Sequence, residues 1–456
     1  MRYIVYLYIG QIIKGITFIL TREKIGVLKT ADLTLMLVLY NYLLYSHLGL
    51  RFSIDKELPI LYYEQKNFEV EEYKNKIMMG ILFLQFLISI VCYFIFKDKI
   101  SYIITILISS LLLSLNETNK IFNRAKQDYK SYSSYTLYYN LLVGIVPFIG
   151  AIYFSLYGVI IGYFIVNILF LIIYFPKNLK FELDLKFILI KIKENLNFYL
   201  INVIIFSFLN LDKILINNFL TKESLGRYSV GSIFFSFFIL LPSGINEVLF
   251  PKLIILVKQE RLTSKYLDKI LNRNMEILYM MILLFLGVIP YFITIFFSKF
   301  KNDIFIIQLI SINVLYYAVS GILIYIVLAK NKENILLKEI LKCLIILILI
   351  ISVLLINIKK IEIIPIIYSL IYSLLLKKII EILKKENLIK TNDVFMKYIK
   401  KQIKLLILCF LIWYNLKFGI IFLILNLLEC YIKNKIYMKY FFKKIKKKLL
   451  LYFLVE

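Results

Sequence analysis

Lys14, Asp212 and Lys213 are charged side chains placed inside long apolar runs, where an uncompensated charge is costly and therefore marks a candidate site. Two ammonium groups at one depth could grip a single polyvalent anion. A carboxylate that gains or loses a proton or a sodium ion between two states could couple movement to an ion gradient, and Asp212 is the first candidate for that role. The matching depth of the two lysines follows from a repeat: Thr21-Arg22-Glu23-Lys24-Ile25-Gly26 recurs as Thr221-Lys222-Glu223-Ser224-Leu225-Gly226. Lys14 precedes the first copy by seven residues and Lys213 precedes the second by eight. At 1.5 Å per helical residue both lie roughly 10–12 Å in from the same end. The plainer readings are that Lys213 neutralises Asp212 or a neighbouring helix, that Lys14 snorkels outward, and that Asp212 is a static ion-pair partner. Adjacent helical residues point about 100° apart, so Asp212 and Lys213 are expected not to pair with each other.

Other residues offer polar chemistry at the ends of the runs. Arg22 and Lys222 are either interfacial anchors or anion contacts, and Glu23 and Glu223 are placed to neutralise them. Arg51, with Asn116 and Glu117, forms either a polar mouth or ordinary solvated helix ends. Pro242-Ser243-Gly244 should kink or locally unwind its span and act as a hinge. Glu247, one turn on beside Asn246, is a second ion-coupling candidate or a partner for Lys252. His47 is a proton sensor or a plain boundary residue, and Lys342 snorkels.

These residues need a scaffold, and composition names its class. The 456 residues are 61% hydrophobic and 16% aromatic with mean hydropathy +0.82, more apolar surface than a water-soluble core can hide. Apolar runs near 3–20, 30–48, 77–97, 101–116, 132–154, 156–175, 198–220, 228–251, 275–297, 304–328, 339–357 and 361–380 each approach the roughly 20 residues that cross a bilayer. A further stretch, Leu405–Ile432, reads as two short helices turning at Lys417. The expected fold is an all-α polytopic membrane protein of about fourteen transmembrane helices: residues 1–175 form an N-terminal six-helix lobe, 176–197 an amphipathic cytoplasmic linker, 198–384 a parallel second six-helix lobe, and 385–456 two more helices with a polybasic tail.

Most of the 56 Lys and Arg residues fall in the amino terminus, the even-numbered connections and the carboxyl tail, which places both termini in the cytoplasm. The net charge of +27 then faces anionic headgroups, and no nucleic-acid partner is expected. Cys92, Cys343, Cys409 and Cys430 lack metal-ligand spacing, so neither disulfide nor metal site is expected, and no cofactor. No phosphate-cradling glycine loop suggests ATP drive, and no outer connection exceeds about ten residues, which disfavours a membrane glycan polymerase or a glycosyltransferase.

With the repeat and helix count in place, the chain resembles the bacterial repeat-unit flippases of polysaccharide biosynthesis, within the multidrug/oligosaccharidyl-lipid/polysaccharide exporter superfamily. The resemblance rests on Arg22-Glu23-Lys24-Ile25-Gly26, His47-Leu48-Gly49-Leu50-Arg51, Leu211-Asp212-Lys213-Ile214-Leu215, Leu225-Gly226-Arg227-Tyr228 and Leu249-Phe250-Pro251-Lys252-Leu253, in this order. It implies a non-enzymatic carrier of undecaprenyl-pyrophosphate-linked oligosaccharide in the inner membrane, working by alternating access for O-antigen or capsule synthesis, with a polymerase and a chain-length regulator as possible partners. On that reading Lys14, Arg22, Arg51 and Lys213 would meet the substrate. A multidrug exporter, a peptidoglycan-precursor flippase and, from another class, a membrane glycan polymerase are the rivals. A drug exporter would want acidic, aromatic cavities, against which Lys14 and Lys213 argue.

Overall fold

The computed structural model describes residues 2–64, 67–97, 102–126, 128–174, 180, 182–259, 261–330, 332–389 and 392–430; the expected polybasic tail at Lys433–Lys448 and part of the expected linker lie outside them. Its chain order is α1 (Arg2–Ile25), α2 (Val27–Leu43), α3 (Leu50–Tyr63), α4 (Asn67–Phe96), α5 (Ile103–Ala125), α6 (Tyr129–Tyr174), α7 (Leu185–Phe208), α8 (Leu211–Phe219), α9 (Lys222–Lys258), α10 (Ser264–Phe296), α11 (Ile304–Ile312), α12 (Val314–Ala329), α13 (Glu333–Ile358), α14 (Ile363–Lys385) and α15 (Asp393–Tyr414). The protein is an all-α polytopic membrane protein. Among the described residues six helical stretches, one of them Ser298–Ala329 with α11 and α12 inside it, are each long and apolar enough to cross a membrane, and the bent pair α7–α8, taken as one span, makes a seventh.

Two of the expected crossings are the arms of α6, which folds back at Ser155, a non-glycine residue held at φ 54°. The arms meet without intervening side chains: a Cβ on Gly150 would overlap the backbone of Gly158, and one on Gly162 that of Pro147. The same device recurs at the last apolar stretch. Helix α15 stops at Tyr414, Asn415 is extended, and a second helical arm runs through residues 416–430 with Lys417 exposed at the turn. Asn415 Oδ1 accepts the Lys417 backbone N–H at 3.0 Å, which closes that turn.

Three segments depart from the sequence reading. Leu50–Tyr63 is a helix in the interval left between the apolar runs 30–48 and 77–97. The amphipathic linker is continuous with the next span: α7 begins at Leu185, capped by Asp184, whose carboxylate accepts the Phe187 N–H at 2.9 Å and pairs with Lys76 at 3.1 Å. Those two partners hold the Asp184 carboxyl below its ordinary value. The span read as 198–220 is broken instead, bending by 47° between α7 and α8. Polar side chains there compete for the helix backbone: Asn210 Nδ2 donates to Phe206 O, and Ser207 Oγ donates to Val203 O.

The apolar core is divided between the two halves of the chain. One large cluster draws on residues 201–430, with Ala31 the exception, whereas two others are built from residues between 25 and 188. A fourth cluster crosses between halves and packs Ile19 against Val230, Phe234, Ile289 and Phe300.

At the same end the two copies of the repeat meet, yet their glycines do different work. Gly26 ends α1 at φ 85°, a left-handed conformation that favours glycine. Gly226 lies within α9, where a Cβ would overlap the carbonyl of Val27. The obstacle is backbone, which cannot rotate aside. Gly226→Ala is therefore expected to strain the α2–α9 contact by about 1–3 kcal/mol and to lower the melting temperature of the purified protein by several degrees. An unchanged melting curve would show that the two helices do not touch there.

Candidate functional site

A cavity of about 340 Å³ lies between α1, α2, the α7–α8 bend and α9, so both halves of the chain contribute to it. The α1 wall carries Gln11, Lys14, Phe18 and Arg22. Their spacing of three and four residues aligns them along one face of the helix. Phe18 stands between the two cations, its ring centroid 5.4 Å from Lys14 Nζ and 6.0 Å from the Arg22 guanidinium carbon. Packing behind α1 sets this stripe: Gly144 on α6 lets that helix close on Lys14 and Thr17, where a Cβ would collide.

Lys14 lines the cavity, and its Nζ has no hydrogen-bond or ion-pair partner among the described residues, although Glu117 acts on it electrostatically. Arg22 is 5% exposed and donates through Nη1 to Phe18 O at 3.2 Å, while its buried Nε has no partner. An interfacial anchor would be solvated; Arg22 instead forms part of the cavity wall. Its repeat counterpart Lys222 is exposed and pairs with Asp32 at 2.9 Å, a bridge from the start of α9 to α2. Nearby Lys299 Nζ donates to Glu23 O at 2.6 Å, and Glu223 pairs with Arg227 at 2.6 Å.

Lys213 also borders the cavity, but its ammonium is already occupied. It donates to Leu209 O at 2.7 Å and Asn210 Oδ1 at 3.1 Å and lies 3.6 Å from Asp212 Oδ1. The expectation that Asp212 and Lys213 do not pair is thus overturned. They occupy the first turn after the bend, where Asp212 Oδ1 accepts the Lys213 backbone N–H at 2.8 Å and the lysine side chain folds back over the break. Asp212 itself faces a second, much smaller cavity of about 20 Å³, beside Tyr228, Asn313 and Tyr368.

The remaining candidates are elsewhere. Arg51, at the start of α3, donates through Nη2 to Ser114 Oγ at 2.9 Å, away from the cavity lining. Asn116 and Glu117 are not helix ends, because α5 continues to Ala125. Asn116 Nδ2 donates to Asn167 O at 2.9 Å, and Glu117 pairs with Lys120. His47 is buried beneath Tyr45, Phe52 and Tyr199, and its Nδ1 accepts the Gly49 N–H at 3.0 Å. That makes it a turn residue locked in place rather than a solvated boundary group. Lys342 is exposed and pairs with Glu339 at 2.8 Å. Pro242 is buried in α9, which stays helical from Lys222 to Lys258, so the expected local unwinding is not found. The side chains of residues 243–250, Glu247 among them, lie outside the described residues, as does any side-chain environment at Gly244.

Gln11 and Asn41 were missed by a reading centred on charge. Both amides line the cavity. For Gln11 the available signal was its helical spacing with Lys14, Phe18 and Arg22 on one face of α1; Asn41, on α2, carried none.

The halves also touch through residues outside the cavity lining. Tyr42 donates to Ser207 Oγ at 3.2 Å, and Phe206 packs against Tyr42 and Tyr45 with ring centroids 4.9 Å apart in each pair.

A family model described as "Polysaccharide biosynthesis protein" matches residues 73–304. Among solved structures, the chain is similar to one titled "Lipid II flippase MurJ, inward closed conformation", with a TM-score of 0.68 and 16% sequence identity over 96% of this chain and 99% of that one. At that identity the likeness concerns the fold. No curated protein matches the chain by sequence.

Proposed function

Since the chain belongs to the polysaccharide biosynthesis protein family, we propose that it is a flippase carrying an undecaprenyl-pyrophosphate-linked oligosaccharide repeat unit across the bacterial inner membrane for surface polysaccharide such as O-antigen or capsule. The observation that carries this reading is the cavity between the halves. Its described lining holds Lys14, Arg22 and Lys213 and no carboxylate. A cavity of that sign suits a diphosphate, whose charge needs replacement of its water shell by cations and dipoles, and it disfavours a cationic drug. The flippase breaks no bond; it works by alternating access of two six-helix lobes, residues 1–175 and 198–384, with both termini cytoplasmic and the prenyl chain left in lipid. Asp212 serves ion coupling from its own small cavity, Pro242 and Gly244 remain hinge candidates, and a glycan polymerase and chain-length regulator would act on the delivered unit.

Deleting the gene tests this. Completed lipid-linked repeat units should accumulate in the inner membrane while surface glycan is lost; unchanged surface glycan would overturn the reading. The likeness to a lipid II flippase favours a second cargo, the peptidoglycan precursor. That cargo predicts loss of wall synthesis and lysis on depletion, with surface glycan lost only as a consequence.

A further inference from the structure

The polar groups on the two walls of the cavity differ in what they have left to give. On the second-half wall, Ser232 Oγ donates to Ser229 O at 2.7 Å, Ser236 Oγ to Ser232 O at 2.8 Å and Asn210 Nδ2 to Phe206 O at 3.1 Å, while Lys213 is held as described above. These donors are committed to their own helices. On the first-half wall, Lys14, Gln11 and Asn41 make no side-chain hydrogen bond among the described residues, and Arg22 Nε is buried without a partner. The buried Arg22 Nε left unpaired costs about 1–3 kcal/mol, and the half-buried Lys14, Gln11 and Asn41 keep their donors uncommitted beside it, so this wall is the one on which a ligand finds partners.

Their order along the helices adds direction. Arg22 is nearest the α1–α2 junction, Lys14 lies two turns deeper and Gln11 deeper still. Gln11 precedes Ile25 by fourteen residues and Asn41 follows Val27 by fourteen. Counted outward from the single-residue connection at Gly26, both amides lie equally far along their helices, roughly 21 Å from the junction at 1.5 Å per residue. The wall is therefore zoned, with cations toward the junction and neutral amides beyond them.

We infer that α1 and α2 alone grip the cargo, with Lys14 and Arg22 on the diphosphate and Gln11 and Asn41 reading the hydroxyl or acetamido groups of the sugar next to it. This rests on the flippase reading and deepens it by naming a substrate class: a diphosphate bearing an uncharged proximal sugar. A primary amide offers two N–H donors and a carbonyl acceptor, which suits hydroxyls that both donate and accept. A carboxylated proximal sugar would call for a further cation at that level, and the lining has none there.

The test uses the full chain in lipid nanodiscs and two probes, undecaprenyl diphosphate and undecaprenyl-diphosphate-N-acetylglucosamine. The unsubstituted protein is expected to bind the sugar-bearing lipid roughly tenfold more tightly, the size of one or two neutral hydrogen bonds. In Gln11→Leu/Asn41→Leu that ratio should fall to about one; in Lys14→Gln both affinities should fall and the ratio persist. Gln11→Ser/Asn41→Ser, which shortens the reach without adding apolar bulk, gives the same readout if the leucine pair fails to fold. A ratio that survives in the amide variants, or is already one in the unsubstituted protein, overturns the inference and leaves the flippase reading standing. Failure of the unsubstituted protein to bind either lipid overturns both.

Discussion

Lys14→Ala is expected to reduce transport by about a hundredfold or more, with normal amounts of protein in the membrane. The function follows from position: Lys14 lines the cavity between the halves, and its ammonium makes no hydrogen bond or ion pair with any described group, only the contact with the Phe18 ring and a longer-range attraction to Glu117. Removing one member of a buried, hydrogen-bonded charge pair costs about 2–5 kcal/mol, and in the proposed function the pair forms only when the anionic cargo arrives. Stability should be spared for the same reason. No internal ion pair is broken, and the lost contact with the Phe18 ring, at 5.4 Å, is a cation–π contact on the order of 1–2 kcal/mol. Lipid-linked oligosaccharide accumulation in the variant strain, read beside immunoblots of its membranes, checks both halves of the expectation. Full surface glycan in Lys14→Ala would remove this cation from the mechanism.

Lys213→Ala should behave in the opposite way, losing folded protein before any transport defect can be assigned. Its ammonium satisfies Leu209 O, Asn210 Oδ1 and the Asp212 carboxylate, in side chains that are 10% exposed. Deleting one partner of a buried ion pair leaves the other charge uncompensated and costs about 3–5 kcal/mol. Two backbone and side-chain acceptors at the α7–α8 break lose their donor as well. The rescue is specific: Asp212→Asn/Lys213→Ala removes the stranded carboxylate and should recover most of the lost thermal stability, although the coupling proposed for Asp212 would be gone. Wild-type membrane levels and melting in Lys213→Ala would show that the pair at the bend contributes little. The two lysines match in sequence depth, so opposite phenotypes would separate a residue that serves the cargo from one that serves the helix break.

Much of the scaffold is legible in the order of residues. The turn between 154 and 156 falls at Ser155, and the turn at Lys417 follows a break at Asn415, because short polar residues interrupt long apolar runs there. The helix Leu50–Tyr63 is hidden for the reverse reason: its mixed charges keep it out of the apolar runs, while Leu50, Ile54 and Leu58 point one face into a core completed by Ile77 and Met78 of α4. Likewise the linker before α7 was recognised as amphipathic, but its continuity with the next span depends on Asp184 capping and on Ile188 packing where Gly80 leaves room.

What the amino-acid sequence determined by itself is the solvent and the inventory. Apolar runs of bilayer length require a helical membrane protein, and charges within them are costly wherever the helices end up. Which of those charges is free was decided only by the tertiary structure. Lys14 and Lys213 are the same residue type at nearly the same depth, yet a bend at Asn210 brings acceptors onto Lys213, whereas the unbroken α1 offers Lys14 none. Helical spacing assigns a residue to a face. The neighbouring helices decide whether that face meets a partner or a cavity, because hydrogen bonds and ion pairs are satisfied within a few ångströms and not along the chain.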